Sequence, residues 1–411
     1  MSKVVISGIG LVTPGQCENE DVWQYLIHKK NLFQCKTFSD QEQIVIGQLP
    51  EFNLEGYQLI EKKKFRYLDK QVLYVLIATI KAMRDAGLEA LILNKVINLE
   101  KVGAVMGSMT AQMEFGLEQV KKVVNENSFR ISPMTGVAFY FGASVGEISV
   151  MLKTKGENCA VLSGSSASID GIMLASDMIK RGNNNVVFVG AGENIVFEVF
   201  FNAFTHYKKM ARNHYTPYDV QREGCFLSNG GGVVVIENAV HAEGRHAPIY
   251  GEVLSYQTLN AARCFFEINE ELRIYTEKVI LKCLKESGLN MDEIDLVIPT
   301  AEGSVDGDFY EMLAIRNIFR GKKNFVYSPK LVLGHCLSFN TIVDTFAGIM
   351  AMKNNVIPPH PVTIHSPDPE FDDMLVGISP VTKPVKNVLI LHRNFTDSKI
   401  SGLIVSHYNH E

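Results

Sequence analysis

The sequence predicts an α/β protein whose parallel strands lie buried between helix layers. Three observations predict it. Short runs of β-branched and apolar residues alternate with longer amphipathic stretches. The short runs are continuously apolar, as in strands covered on both faces. Glycines at 87 and 182 follow two of the amphipathic stretches, where helices stop.

In chain order, a strand is expected at residues 4–7, a helix at 67–86 closed by Gly87, and a strand at 102–106. A helix at 143–152, a strand at 159–163 and a helix at 168–181 closed by Gly182 follow. Strands at 186–189 and 233–237 complete an N-terminal half. Composition loosens around His241 to His246, which places a boundary between residues 1–245 and 246–411. The second half repeats the alternation: helix 271–287, strand 296–299, helices 308–319 and 342–353, and strands 388–391 and 403–406.

The chain of 411 residues carries a formal charge of −5 without large basic clusters, which argues against nucleic acid and anionic membrane surfaces as partners. Its longest apolar stretch, residues 72–80, is far short of a membrane span. Residues 4–6 follow the N-terminus directly and read as a strand instead of a signal peptide. Seven cysteines, an odd number without close pairs, indicate neither a disulfide framework nor a metal site, so a reduced cytoplasmic compartment is expected. No dinucleotide fingerprint or P-loop occurs; Gly230, Gly231 and Gly232 are expected to make a tight turn, and no bound cofactor is expected.

Several motifs stand in collinear order. Val4-Val5-Ile6-Ser7-Gly8-Ile9-Gly10-Leu11-Val12-Thr13-Pro14 opens the chain, and Pro217-Tyr218-Asp219-Val220-Gln221-Arg222-Glu223-Gly224 lies midway. Gly307-Asp308 with Glu311, Ser328-Pro329-Lys330 with Gly334-His335, and Val356-Ile357-Pro358-Pro359 follow. Together they resemble the β-ketoacyl synthases, the condensing enzymes of fatty-acid and polyketide assembly. The resemblance implies a thiolase fold: two similar βαβαβαβαββ halves forming five α/β/α/β/α layers, paired into a dimer. It also implies a reaction with three parts. A cysteine at a helix start takes the acyl chain, two histidines hold the malonyl thioester, and two backbone N–H groups stabilise the oxyanion.

The sequence departs from that set where the chemistry lies. The cysteine motif reads Ser163-Gly164-Ser165-Ser166-Ala167, which places Ser165 at the nucleophile position. The first histidine motif reads Thr300-Ala301-Glu302-Gly303-Ser304, with Thr300 in place of histidine. The C-terminal Gly-Phe-Gly-Gly loop reads Asn394-Phe395-Thr396-Asp397. Lys330 and His335 are retained and are expected to act as structural hydrogen-bonding residues. A serine hydroxyl needs a general base, and Ser165 is expected instead to cap its helix.

This pattern of losses is similar to the chain-length factor, the non-condensing partner of an active ketosynthase in type II polyketide synthases. The resemblance then implies a heterodimer with that ketosynthase. An acyl carrier protein supplies its phosphopantetheine arm in trans, and the growing polyketide runs in a shared tunnel. By the same register Met113, Phe115, Gly116 and Val120 form the chain-length gate at the partner interface. Glycine at 116 and valine at 120 leave room for a long aromatic polyketide near octaketide size, because packed side chains stop a growing chain. Two other readings stay open: the partner subunit of an aryl-polyene-type ketosynthase, and a serine-dependent acyltransferase or malonyl decarboxylase using Ser165 with His335.

Overall fold

The computed structural model describes residues 2–15, 18–37, 43–49, 56–110, 112–126, 130–138, 140–195, 198–207, 209–264, 268–360, 371–395 and 397–409. Nine strands form one sheet: β1 (Val4–Val12), β2 (Val102–Gly107), β3 (Asn158–Val161), β4 (Val186–Glu193), β5 (Gly230–Asn238), β6 (Gly251–Cys264), β7 (Leu296–Ile298), β8 (Asn387–Arg393) and β9 (Asp397–Ser406). Their spatial order is β7-β8-β9-β6-β1-β5-β4-β2-β3. The main helices are α1 (Lys70–Asp85), α2 (Met113–Glu126), α3 (Ala143–Leu152), α4 (Ala167–Lys180), α5 (Glu270–Ser287), α6 (Val305–Ile318) and α7 (Asn340–Asn354).

The all-parallel expectation is corrected: the sheet is mixed. β1 runs antiparallel to β5 and β5 to β4, after which β4–β2 and β2–β3 are parallel. The second set repeats these directions. β6–β9 and β9–β8 are antiparallel, β8–β7 is parallel, and a parallel bridge from Val297 to Val326 continues it. The sets meet where Val5 and Ile6 pair with Glu252 and Gly251. Continuous apolar runs report burial on both faces, not strand direction, and the antiparallel β1 and β5 are as buried as the parallel β2 and β7.

Because strand side chains alternate faces, consecutive residues fall into different cores, and this alternation defines five layers. Ala104, Met106, Val186, Phe188, Val233 and Val235 pack under α1 and α3. Their neighbours Val105, Val187, Val189, Val234 and Ile236 join α4 and α7 in a central core. Leu296, Ile298, Val388 and Ile390 reach that core from the other set of strands. Val297, Leu389, Leu391 and Ile404 face outward onto α5 and α6. The fold is thiolase-like, as the motifs imply.

Two features of the sheet escape the sequence reading. β6 carries Glu252, Ser255, Gln257, Thr258 and Asn260, so it shows no apolar run, yet it joins the two sets of strands. The glycines at 230–232 make no tight turn but begin β5, pairing with β1 and β4. A Cβ at Gly232 would lie 2.8 Å from the Ile342 side chain, so glycine there lets α7 press onto the sheet.

Candidate functional site

The chemistry-bearing residues gather around the C-terminal end of β8. Its apolar run ends in His392, Arg393 and Asn394, all buried. Facing them, Gly164 adopts a left-handed φ of +61° at the turn that opens α4 and presents Ser165, which is fully buried. The Ser165 N–H donates to Asn394 Oδ1 at 3.0 Å. Its hydroxyl lies 2.9 Å from the same oxygen and 3.1 Å from His392 Nε2. The Phe395 N–H donates to Ser165 Oγ at 2.7 Å.

The capping expectation for Ser165 is therefore corrected. The hydroxyl turns away from the helix because the end of β8 offers both a donor and an acceptor. Ser166 stands at the N-cap of α4 without a side-chain capping bond. The hydroxyls of Ser163, Ser166 and Ser168 have no hydrogen-bond partner among the described residues.

Thr300 follows β7 and Pro299. Its hydroxyl donates to Glu311 Oε1 at 2.6 Å and accepts the Arg393 N–H at 2.8 Å, while its own N–H binds Glu311 at 3.0 Å. It is a strut between α6 and β8. Two residues on, Glu302 pairs with Arg393 at 2.5 Å and with Lys209, all three buried. Burial opposes the charge on Glu302, but the Arg393 guanidinium and Lys209 ammonium outweigh it and hold the carboxyl well below its usual range. Burial instead pushes Asp308 up to about 7, against the opposing pull of Arg222. The Asp308 carboxylate accepts N–H groups from Tyr218 and Gly303, each at 3.2 Å.

Lys330 Nζ lies 2.7 Å from both carboxylate oxygens of Asp344 and 3.2 Å from the Pro299 carbonyl, wholly buried. Burial lifts Asp344 to about 6 despite that ammonium, which leaves its carboxyl mostly ionised at neutral pH. The Oδ1 of Asn340 accepts the Cys336 N–H at 2.7 Å, which turns its Nδ2 toward His335 Nε2 at 3.0 Å. An amide nitrogen only donates, so His335 Nε2 accepts and its proton sits on Nδ1. Burial, with Lys330 nearby, lowers His335 to about 3 and keeps it neutral. A neutral imidazole whose Nε2 lone pair is already engaged cannot donate from that atom to a thioester carbonyl. Its ring lies tilted at 39° to that of Phe395, with the centroids 4.9 Å apart.

Three of the four motif residues thus converge on the end of β8, Ser165 through Asn394, Thr300 through Arg393 and His335 through Phe395, while Lys330 holds the end of β7 through the Pro299 carbonyl. Met113, Phe115, Gly116 and Val120 stand apart on α2. Asp69 sets the start of that helix, accepting the Glu114 and Phe115 N–H groups at 2.8 and 3.3 Å while also capping α1 at Gln71. Gly116 is buried and Met113 and Phe115 half-buried, but Val120 is 43 % exposed. Val120 therefore faces outward in this chain.

Sequence reasoning missed His392, and it missed the pairing of Glu302 with Lys209 and Arg393. The available signal was the break in the apolar run at His392-Arg393-Asn394, three polar residues ending a buried strand. Among the described residues, no group of three His, Cys, Asp or Glu side chains could hold a metal ion, and no helix is long and apolar enough to cross a membrane.

The thiolase-like fold defines the class, and comparison with known proteins gives the family. Residues 1–242 match the β-ketoacyl synthase N-terminal domain and residues 250–363 its C-terminal domain. The chain belongs to the β-ketoacyl synthase family. It is 25 % identical over 382 residues to a 3-oxoacyl-[acyl-carrier-protein] synthase 2 of Staphylococcus aureus strain COL, covering 90 % of each chain. Among solved structures it resembles the ishigamide ketosynthase/chain length factor, with a TM-score of 0.87, 21 % identity and coverage of 99 % of this chain and 100 % of that one. It also resembles a chain of a type II polyketide synthase acyl-carrier protein complexed with its ketosynthase bound to the hexaketide, with a TM-score of 0.87, 19 % identity and coverage of 99 % and 100 %.

Proposed function

We propose that this chain is a non-condensing ketosynthase-like subunit, a chain-length factor. It pairs with an active ketosynthase and helps form the tunnel in which a polyketide near octaketide size is measured. One observation carries the reading: the Asn394 carboxamide oxygen takes the Ser165 N–H, and the Phe395 N–H is engaged by the Ser165 hydroxyl. The two donors that an acyl oxyanion would need are both occupied. The loss of a histidine at 300 and the acceptor state of His335 Nε2 support the same reading.

The surface supports a partner. β3 ends the strand order, and Leu162 beside it is 57 % exposed. Val120 and Val124 on α2 are 43 % and 72 % exposed, with Tyr140 and Phe141 exposed as well. An apolar edge strand among exposed apolar side chains favours a paired state, and an obligate subunit interface of this kind buries more than about 2,000 Å². The acyl carrier protein docks on the assembled pair and supplies the phosphopantetheine arm; this chain needs no cofactor of its own.

In the assembled pair, Gly116→Trp is expected to shorten the main product by one or more ketide units while dimer formation persists. Mass spectrometry of products from the co-expressed pair checks this. Unchanged chain length in an intact dimer would contradict the gate at Gly116.

A further inference from the structure

The geometry around Ser165 holds more than a vacated nucleophile position. The histidine missing at 300 has a counterpart at 392, where Nε2 lies 3.1 Å from Ser165 Oγ. While the hydroxyl donates to Asn394 Oδ1, Nε2 faces it as a donor; with that oxygen gone, the hydroxyl turns to Nε2 in the other tautomer, within reach for proton transfer. His392 is fully buried and held well below its ordinary range, first by burial and then by Lys330, so it is a neutral imidazole. Its Nδ1 has no hydrogen-bond partner among the described residues.

Asn394 blocks this pair from its substrate. Its Oδ1 lies 3.0 Å from the Ser165 N–H, within the span over which such donors hold an oxyanion. The carboxamide oxygen thus stands in for the acyl oxygen. A cavity of about 560 Å³ lined by Thr205, Lys209, Met210 and Ser304 approaches from solvent. Lys209, one of the residues lining it, has its Nζ 5.3 Å from the centre of the Phe395 ring, next to the plug.

We infer that Ser165 and His392 form a latent acyl-accepting pair, closed by the Asn394 carboxamide, whose substrate class is the acyl thioester. When Asn394 is displaced, Ser165 Oγ attacks the thioester carbonyl and its proton passes to His392 Nε2. The Ser165 N–H, freed of Asn394, holds the oxyanion. The attack forms the Oγ–C bond; collapse restores the carbonyl and breaks the C–S bond, and His392 returns the proton to the departing thiolate. The product is an oxyester on Ser165 and a free thiol. This rests on the non-condensing reading above: the oxyester marks or parks an acyl group and does not extend it.

The test is intact-protein mass spectrometry of the full chain, alone and with its partner, after incubation with the acetyl thioester of N-acetylcysteamine. Unaltered protein is expected to stay unlabelled. Asn394→Gly, or Asn394→Ala should the glycine variant fold poorly, is expected to gain one acetyl group that maps to Ser165. The adduct should vanish in Asn394→Gly/Ser165→Ala and form about 10²-fold more slowly in Asn394→Gly/His392→Gln. An unlabelled but folded Asn394→Gly and Asn394→Ala, or equal labelling without Ser165, would overturn the proposal. Either result leaves product length from the assembled pair to judge the chain-length reading separately.

Discussion

Placing cysteine at position 165 is expected to leave malonyl-dependent condensation at least about 10⁴-fold below that of an intact condensing site. The figure follows from two parts that Ser165→Cys does not restore, each worth about 10²–10³ in rate. The first is the oxyanion site, where Asn394 Oδ1 occupies the N–H of residue 165. The second is the pair of histidines. Thr300 braces Glu311 and Arg393, and His335 Nε2 accepts from Asn340. A thiol would be the better nucleophile, yet it would attack where no donors are free to stabilise the tetrahedral oxygen. Mass spectrometry of acyl-carrier-bound products after incubation with an acyl primer and the malonyl carrier checks this. A rate within about tenfold of an intact site would show that these geometric losses do not limit the chain.

Glu302→Gln is expected to lower the unfolding free energy by about 3–5 kcal/mol, because it leaves the Lys209 and Arg393 charges buried without their counter-ion. Its pH dependence has a definite sign. The folded-state carboxyl of Glu302 titrates below its unfolded value of about 4.3. Its contribution is therefore present above that pH and lost as the pH falls below it. Asp308 acts oppositely. Raised to about 7, it is protonated more readily in the folded chain, so its contribution is full below about pH 4 and lost as pH rises through 7. Denaturant unfolding of the parent should show stability rising from pH 8 toward about 5 and falling below about 4; the Glu302→Gln variant should lose the Glu302 part of the acid limb. A change under about 1 kcal/mol would mean the triad is not the buried network described.

Much of the architecture is legible in the sequence because burial on both faces demands continuous apolar runs. The cores that receive Val186, Val233 and Val388 were visible in that way, as were the helices closed by Gly87 and Gly182. Strand direction was not, because β5 is as apolar as the parallel-paired β2 while running antiparallel to both its neighbours, β1 and β4. β6 was hidden by its polar residues. At the site, aligning motifs found Ser165, Thr300, Lys330 and His335 but gave no sign of what replaces the missing parts. The contact between Ser165 and His392 spans 227 residues, and only folding brings the end of β8 against the start of α4. The same separation explains why a serine-rich helix start read as capping: the competing partners lie in the other half of the chain.

The central claim concerns where carbon–carbon bonds are made. The most direct measurement compares this chain purified alone with the same chain co-purified with a ketosynthase subunit, both given malonyl-loaded acyl carrier protein, with products identified by mass spectrometry. The account predicts extended polyketide from the pair and none from the chain alone. Chain extension by the isolated protein would contradict it.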